Sequence, residues 1–145
     1  MKVRNLLAKK GAHVETIGPE TTVFEALCVL KLKHIGSLMV LSGEKVLGIV
    51  TERDILNECF ERSDALRQRK VKDIMTKDII IGVPDDTLDY VMGIMTQNRI
   101  RHLPIIDDGH LTGLISIGDV VKYLLDEKEM ENKYMRDYIS GEYPK

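Results

Sequence analysis

The feature that most constrains the fold of this chain is an internal repeat. When the sequence is shifted by 65 residues, it aligns with itself without a gap from about Val14 to Leu56. Pro19 then meets Pro84, and Thr22 meets Thr87. The aliphatic segments between these identities also match, for example "VLGIV" with "LTGLI". Self-similarity at a fixed offset indicates a duplicated supersecondary unit, so the chain should contain two copies of one small fold.

Each copy shows the same order of patterns. A short extended stretch ends at Pro19 or Pro84, and an amphipathic helix follows, with Thr22 and Thr87 as N-cap candidates. Two apolar strands joined by a tight turn come next, and a second helix begins directly after them. The pattern predicts an α/β chain of the α+β type, built from two β-α-β-β-α units. One unit alone would bury too little apolar surface, so we expect the two to pack face to face as one module.

The boundaries of these units follow from the repeat. We expect unit 1 with its N-terminal lead-in at residues 1–64, a connector and lead-in to unit 2 at 65–77, unit 2 at 78–127, and a C-terminal helix or tail at 128–145. The alternating charges of the segment from Glu61 to Asp73 are typical of a solvated connector. An apolar stripe from Tyr134 to Ile139 suits a docked terminal helix or an oligomer contact, and the final "GEYPK" should fray.

Composition limits the classes of function. At 145 residues with a net charge of −2, the chain offers no general electrostatic case for binding nucleic acid or an anionic membrane. The N-terminus has too few consecutive apolar residues for a signal peptide, and no apolar run approaches the roughly 18 residues of a membrane helix. Cys28 and Cys59 belong to no motif and are expected to be free thiols in a reducing compartment. We therefore expect a cytoplasmic protein without a membrane partner.

The repeat carries a twin motif, "GIVTERD" at Gly48–Asp54 and "GLISIGD" at Gly113–Asp119. One interpretation is structural, because a hydroxyl residue followed three positions later by an aspartate forms a helix-capping box. The other is functional. The amides at a helix N-terminus attract phosphate, an aspartate one turn later could accept both hydroxyls of a ribose, and the glycine would let backbone approach a ligand closely.

Basic residues precede the strand of the second copy. Arg101 and His102 could supply donors to a phosphate group, while Arg99 suits either this role or a solvated helix end equally well. The first copy has Lys33 and His34 in this region and no arginine. Two sites built on these segments should therefore differ in affinity.

The repeated unit, its "TERD" and "SIGD" ends and the segment "RHLPIID" resemble a tandem pair of CBS domains, the regulatory modules named after cystathionine β-synthase. The resemblance extends from Val3 to about Leu125. It implies a pseudo-twofold module, often dimeric, that binds adenine nucleotides in clefts between its halves. The free-standing members of the family contain no fused enzyme, channel or transporter, and the tail resembles theirs. The resemblance thus implies that the regulated protein is a separate chain.

The resemblance also assigns roles to residues. Asp54 and Asp119 would hold ribose, Thr51 and Ser116 would meet phosphate, and Arg101 and His102 would neutralise phosphate charge, while Ile17, Ile49, Ile81 and Leu114 would sandwich the adenine. The full set of candidate ligand-binding residues is Thr16, Ile17, Gly36, Ser37, Leu38, Ile49, Thr51, Arg53, Asp54, Ile81, Arg99, Arg101, His102, Leu103, Pro104, Leu114, Ser116 and Asp119.

Two functional hypotheses follow from these patterns. The favoured one is a sensor that binds an adenine nucleotide, AMP first and NAD, ATP or S-adenosylmethionine as rivals, and signals to another protein. The alternative is a ligand-free dimeric scaffold in which the twin motifs only cap helices. A helix-mediated homodimer is expected in both cases, because two helices in each half cannot all face the core. The histidines lack the spacing of a metal site and the cysteines have no base beside them, so we expect no enzyme activity, no metal and no required cofactor.

Overall fold

The helices and strands follow the repeat. The computed structural model describes residues 1–141, so of the "GEYPK" segment expected to fray, residues 142–145 lie outside the described chain. The elements in chain order are α1 (Val3–Lys10), β1 (Thr16–Ile17), α2 (Val23–Lys33), β2 (Ser37–Ser42), β3 (Lys45–Thr51), α3 (Glu52–Arg62), 3-10 turns at Ser63–Ala65 and Val71–Asp73, α4 (Leu88–Asn98), β4 (His102–Asp107), β5 (His110–Ser116) and α5 (Ile117–Ser140). The strands form one sheet in the order β1-β2-β3 and a second of β4-β5.

The two hairpins repeat each other in register. Met39 pairs with Ile49 in the first and Pro104 with Leu114 in the second, and each hairpin has a bulge one residue further on. The second hairpin turns at Asp108 and Gly109, both of which have positive φ. These angles suit the Asp-Gly pair that the sequence places there.

The first strand of unit 2 is shorter than the sequence predicts. The segment "IIIGVP" makes only one parallel bridge, between Gly82 and Ile105. The Gly82 amide donates to the Pro104 carbonyl at 2.9 Å, as part of that bridge. The Val83 amide instead donates to the Asp86 carboxylate at 2.9 Å, so the chain has already turned away from the sheet.

The two lead-in segments pack against the unit that they do not precede in the chain. Val3 and Leu6 of α1 are buried in the core of unit 2, whereas Val71 from the connector is buried in the core of unit 1. The Val3 amide donates to the Asp86 carbonyl at 2.9 Å, and the Val71 amide donates to the Thr21 carbonyl at 2.8 Å. The division at residue 64 therefore follows the chain and not the two cores.

Ion pairs repeat the same crossed arrangement at the surface. Arg4 Nε donates to Asp85 Oδ1 at 2.9 Å, and Lys72 Nζ contacts Glu20 Oε1 at 2.7 Å at the equivalent place in unit 1. Hydrogen bonds from Lys70 and then Lys72 lower the pKa of Glu20 to about 2. Each lead-in is thus held by matching backbone and ionic contacts.

The lead-ins lie directly against the glycine of each twin motif. A Cβ atom at Gly113 would lie 2.7 Å from Leu7 Cδ2, and a Cβ atom at Gly48 would lie 2.7 Å from the Thr76 carbonyl oxygen. Gly48 is required because backbone blocks a side chain there, whereas a side chain at Gly113 would require the Leu7 side chain to shift. The close backbone approach that the sequence assigned to a ligand is therefore made by the lead-in segments.

The connector is not simply solvated, which corrects the sequence interpretation. Leu66 packs against the core of unit 1, and Arg69 Nε donates to Glu58 Oε1 at 2.7 Å. Glu58 is only 6% exposed, so its carboxylate needs this partner. Charge alternation in the sequence does not distinguish a solvated charge from one that neutralises a buried group.

The C-terminal tail is helical as far as Ser140 and continues α5. No break separates the helix of unit 2 from the segment after residue 127, and α5 ends with Gly141 in the left-handed conformation as its C-cap. The predicted tail helix is therefore the second half of one 24-residue helix.

We expect Arg69→Met to lower the free energy of unfolding by about 2–3 kcal/mol, because it leaves the buried Glu58 carboxylate without its cation. Urea denaturation followed by circular dichroism measures the loss. Arg62→Met, at the exposed end of α3, is the matched control and should cost less than about 0.5 kcal/mol. Equal losses in the two variants would contradict the role assigned to the ion pair.

Candidate functional site

The twin motifs form helix caps, as one of the two interpretations predicts. The Asp54 amide donates to Thr51 Oγ1 at 3.4 Å and the Asp119 amide to Ser116 Oγ at 3.1 Å. In return, Asp54 Oδ2 accepts from the Thr51 amide and Asp119 Oδ2 from the Ser116 amide, both at 2.9 Å. Each hydroxyl residue is the N-cap and each aspartate the third helical residue of α3 or α5. The capping-box prediction is confirmed in both copies.

The caps use only one oxygen of each aspartate. Within residues 1–141, the hydrogen bonds and the ion pair to these carboxylates all end on Oδ2. Oδ1 of Asp54 and Oδ1 of Asp119 thus remain available as acceptors. A carboxylate can accept on both oxygens, so capping and ligand binding are compatible at these positions.

Lys10 is a site residue that the sequence analysis missed. Its Nζ lies 2.5 Å from Asp119 Oδ2 and 2.6 Å from the Leu114 carbonyl oxygen. Burial would raise the pKa of Asp119, but the hydrogen bonds from Lys10 and Ser116 outweigh it and lower that pKa. Nothing local in the sequence signals this contact, because 109 residues separate the partners.

His102 lies where the two units meet. A Cβ atom on Gly36 of unit 1 would be 3.1 Å from His102 Nε2 and 3.8 Å from an oxygen of Glu52. Burial and then the positive charge of Arg101 lower the pKa of His102, with a smaller effect of the same sign from Lys10. The imidazole is therefore neutral over more of the pH range than a solvated one.

The side chains of Arg101 and His102 differ in exposure and in their neighbours. Arg101 is exposed and lines a shallow surface depression of about 570 Å³ on α5, together with Ile117, Gly118 and Val121. Arg101 directly precedes β4, which begins at His102. The two side chains differ in exposure but lie close enough for the charge of Arg101 to act on His102, and their role as a phosphate pair stays a prediction.

The residues expected to contact adenine are not equivalent in the two units. Ile49 is buried and Leu114 and Ile17 are half-buried, whereas Ile81 is exposed. The pairing of Gly82 with Ile105 corresponds to that of Ile17 with Val40, so Gly82 and not Ile81 is the counterpart of Ile17. Ile81 corresponds instead to Thr16, an exposed residue of β1.

Besides Ile49, four candidate residues are buried in the body of the protein. Leu38 belongs to the core of unit 1 and Leu103 to the core of unit 2, each with no exposed surface. Ser37 and Pro104 are buried beside them. The two leucine side chains are core residues, and the ligand contacts predicted for these positions stay a prediction.

The two remaining arginine candidates are surface residues. Arg53 lies in the first turn of α3, and Arg99 is the C-cap of α4 in the left-handed conformation, the conformation that His34 adopts at the end of α2. Both arginines are exposed, and within residues 1–141 neither forms an ion pair. For Arg99 this arrangement agrees with a solvated helix end.

The described part of the chain shows neither a metal-binding cluster nor a membrane-spanning helix. Among residues 1–141, no three His, Cys, Asp or Glu side chains are grouped so that they could hold a metal ion. No helix there combines the length and apolar character needed to span a membrane. Cys28 and Cys59 are free and half-buried.

Comparison with known proteins identifies the family. A model of the CBS domain matches residues 3–61 and again residues 71–126. The chain belongs to the CBS domain family. Its two units are CBS domains, so the fold and family predicted from the sequence are confirmed, and tandem CBS domains are regulatory modules.

Relatives of this CBS pair include proteins of different length. This chain is 36% identical over 129 residues to the mitochondrial CBS domain-containing protein CBSX3 of Arabidopsis thaliana. The alignment covers 86% of this chain and 63% of the plant protein. A CBS-domain containing protein of Agrobacterium tumefaciens is 40% identical, with a TM-score of 0.82, over 85% of this chain and 98% of that one.

A third comparison concerns a solved complex. The CBS domain pair of protein MJ0100, solved with 5′-methylthioadenosine and S-adenosyl-L-methionine, superposes with a TM-score of 0.76 at 22% identity, covering 86% of this chain and 99% of that one. At this identity the likeness shows a shared fold.

The environment of His102 predicts a pH dependence of stability for the CBS pair. The pKa of His102 is about 6.5 in the unfolded chain and lower in the folded chain. The unfolded chain therefore binds more protons near pH 6 than the folded chain does. This contribution to stability is complete above about pH 6.5 and is lost as the pH falls from there towards the folded pKa. Urea denaturation at about pH 7.5 and pH 5.5 should therefore show a larger loss in the wild type than in His102→Gln. Parallel losses in the two proteins would refute this assignment.

Proposed function

We propose that this CBS pair is a sensor that binds an adenine nucleotide, AMP by preference, in clefts between its two units and signals to a separate protein. The free Oδ1 atoms of Asp54 and Asp119 carry this proposal. Each lies at the N-terminus of a helix, where amides and the helix dipole favour an anionic group. A ribose could donate its hydroxyls to Oδ1 without disturbing the cap on Oδ2.

Two observations support an adenosine-containing ligand. The strand residues that precede the two caps, Ile49 and Leu114, are aliphatic, and the half-buried Leu114 offers more apolar surface for a flat base than Ile49, which is 7% exposed. In addition, the related MJ0100 pair was solved with two ligands that contain adenosine. NAD, ATP and S-adenosylmethionine share this part of the molecule and are the rival ligands.

The contact of His102 with Gly36 suggests how binding would be transmitted. The imidazole of one unit occupies the space that a side chain at Gly36 of the other would take, close to the first residue of α3. A ligand between the units would alter this contact and shift their relative orientation. A partner protein could read that shift if it binds one orientation better than the other.

The alternative proposal is a dimeric scaffold, and the outer surface of α3 and α5 favours dimerisation in either case. Leu56 and Phe60 on α3 are 69% and 92% exposed, and Val121 and Leu125 occupy the equivalent positions of α5 at 42% and 59%. Four exposed apolar side chains at matching helical positions are suited to pairing with a second copy. The scaffold differs from the sensor only in lacking a ligand.

No enzyme activity forms part of this proposal. The candidate residues offer a carboxylate acceptor, helix amides and an imidazole, which suit recognition, and none is placed as a nucleophile beside a base. Cytoplasmic location also stays a prediction, since the plant relative is named as mitochondrial.

The ligand proposal predicts thermal stabilisation by adenine compounds. AMP at about 100 times its dissociation constant adds roughly 2.7 kcal/mol to the free energy of unfolding, which raises the melting midpoint by roughly 5–10 °C. Differential scanning fluorimetry with AMP, NAD, ATP, S-adenosylmethionine and GMP measures the shift. We expect the double variant Asp54→Asn/Asp119→Asn to lose it, because an amide NH2 replaces Oδ1 while the remaining oxygen keeps the cap.

The matched control is Glu25→Gln, which alters the third-residue carboxylate of the capping box of α2. This variant should keep the full shift, because its cap lies outside the proposed clefts. An unchanged shift in the double variant would remove both aspartates from the site. No shift in the wild type with any adenine compound would leave the scaffold as the function.

Dimerisation predicts a mass twice the 16.5 kDa of the chain in light scattering after size exclusion. Phe60→Lys should reduce the mass to that of one chain, since it places a charge in the centre of the proposed contact. Tyr90→Lys, at another exposed aromatic residue on α4, is the control and should leave the dimer intact. A wild-type protein with the mass of one chain would exclude this interface.

A further inference from the structure

The repeat lets the two aspartate positions be compared residue by residue. The lead-in segments align with an offset of 68 residues and contact the two units in the same way, as Val3 and Val71 show. At the position of Lys10 in the first lead-in, the second has Asp78. The charge at this position of the lead-in thus differs by two units between the two copies.

Lys10 binds one oxygen of the Asp119 carboxylate and leaves the other oxygen free. Its ammonium contacts Asp119 Oδ2 and the Leu114 carbonyl, and the side chain is 36% exposed. An ammonium has three donors, so one remains after these two contacts. Because Oδ1 of Asp119 is not used, Lys10 does not compete for the oxygen available to a ribose.

Backbone takes the place of this cation in unit 1. The Ile49 carbonyl, equivalent to that of Leu114, accepts from the Thr76 amide at 2.9 Å. The described ion pairs of residues 1–141 include none to Asp54. The lead-in therefore supplies no positive group at Asp54.

A second cation also distinguishes unit 2. Arg101 occupies the position of Gly36 in unit 1, and the positive charges of Arg101 and Lys10 both lower the pKa of His102. Unit 1 in turn has Arg53 where unit 2 has Gly118. Arg53 is exposed to solvent, where screening weakens the effect of its charge.

We propose that Lys10 is the specificity-determining residue of the Asp119 cleft and makes it select an adenine nucleoside that carries a 5′-phosphate. The free donor of the ammonium binds a phosphate oxygen while Asp119 Oδ1 accepts from the ribose. The Asp54 cleft lacks this cation and discriminates less between phosphorylated and unphosphorylated nucleosides. This inference rests on the proposed nucleotide binding.

The test is the ratio of affinities for AMP and adenosine, measured by isothermal titration calorimetry. All proteins in this test carry Asp54→Asn, which removes ligand binding at the Asp54 cleft, so the titration reports on the Asp119 cleft. There, Lys10→Gln should weaken AMP binding by about tenfold and change adenosine binding by less than about twofold, because a charge-assisted bond to phosphate is lost. Lys9→Gln is the matched control, since Lys9 lies over the Tyr123 ring at 5.4 Å, and should leave both affinities unchanged.

The remaining outcomes separate this inference from the proposed function. If Lys10→Gln weakens the binding of AMP and of adenosine equally, Lys10 only positions Asp119. If it tightens the binding of both equally, Lys10 competes with the ribose for Asp119. Either result overturns the specificity role. A wild-type protein that binds neither compound overturns the proposed function itself. Circular dichroism of Lys10→Gln checks that the variant is folded, as expected for a half-exposed residue at the end of α1.

Discussion

The structure depends on the exchange of lead-in segments between the two CBS units. Neither core is complete without a segment that precedes the other unit in the chain: Val3 and Leu6 are buried in unit 2, and Val71 in unit 1. The units therefore cannot separate without exposing apolar surface from both cores. The same exchange explains why Gly48 must lack a side chain, since the Thr76 backbone of a lead-in lies directly against it, and why Gly113 packs closely on Leu7.

This arrangement also places the functional groups. Because α1 ends beside β5, Lys10 reaches the start of α5 and binds Asp119. The second lead-in leaves its helical turn early and pairs Thr76 with Ile49 instead. Two copies of one motif thus acquire different electrostatic environments from differences in the segments that cover them, although the motifs themselves have the same capping geometry.

The aspartates show why capping and ligand binding need not be alternatives. A capping box requires one carboxylate oxygen, and in both copies it uses Oδ2. The second oxygen takes no part in the cap and can accept a hydrogen bond from a ligand. A helix-start motif can therefore gain a binding role without losing its structural one, which makes the motif alone poor evidence for either role.

The sequence by itself determined the duplicated architecture, the hairpins and the caps. These features depend on the period of apolar residues and on hydrogen bonds between residues three positions apart, such as Ser116 and Asp119, so they can be read locally. Only the tertiary structure decided that the connector neutralises Glu58, that Leu103 belongs to a core, and that Lys10 contacts Asp119. Such contacts join residues far apart in the chain, and their partners are set by how the two units and their lead-ins pack.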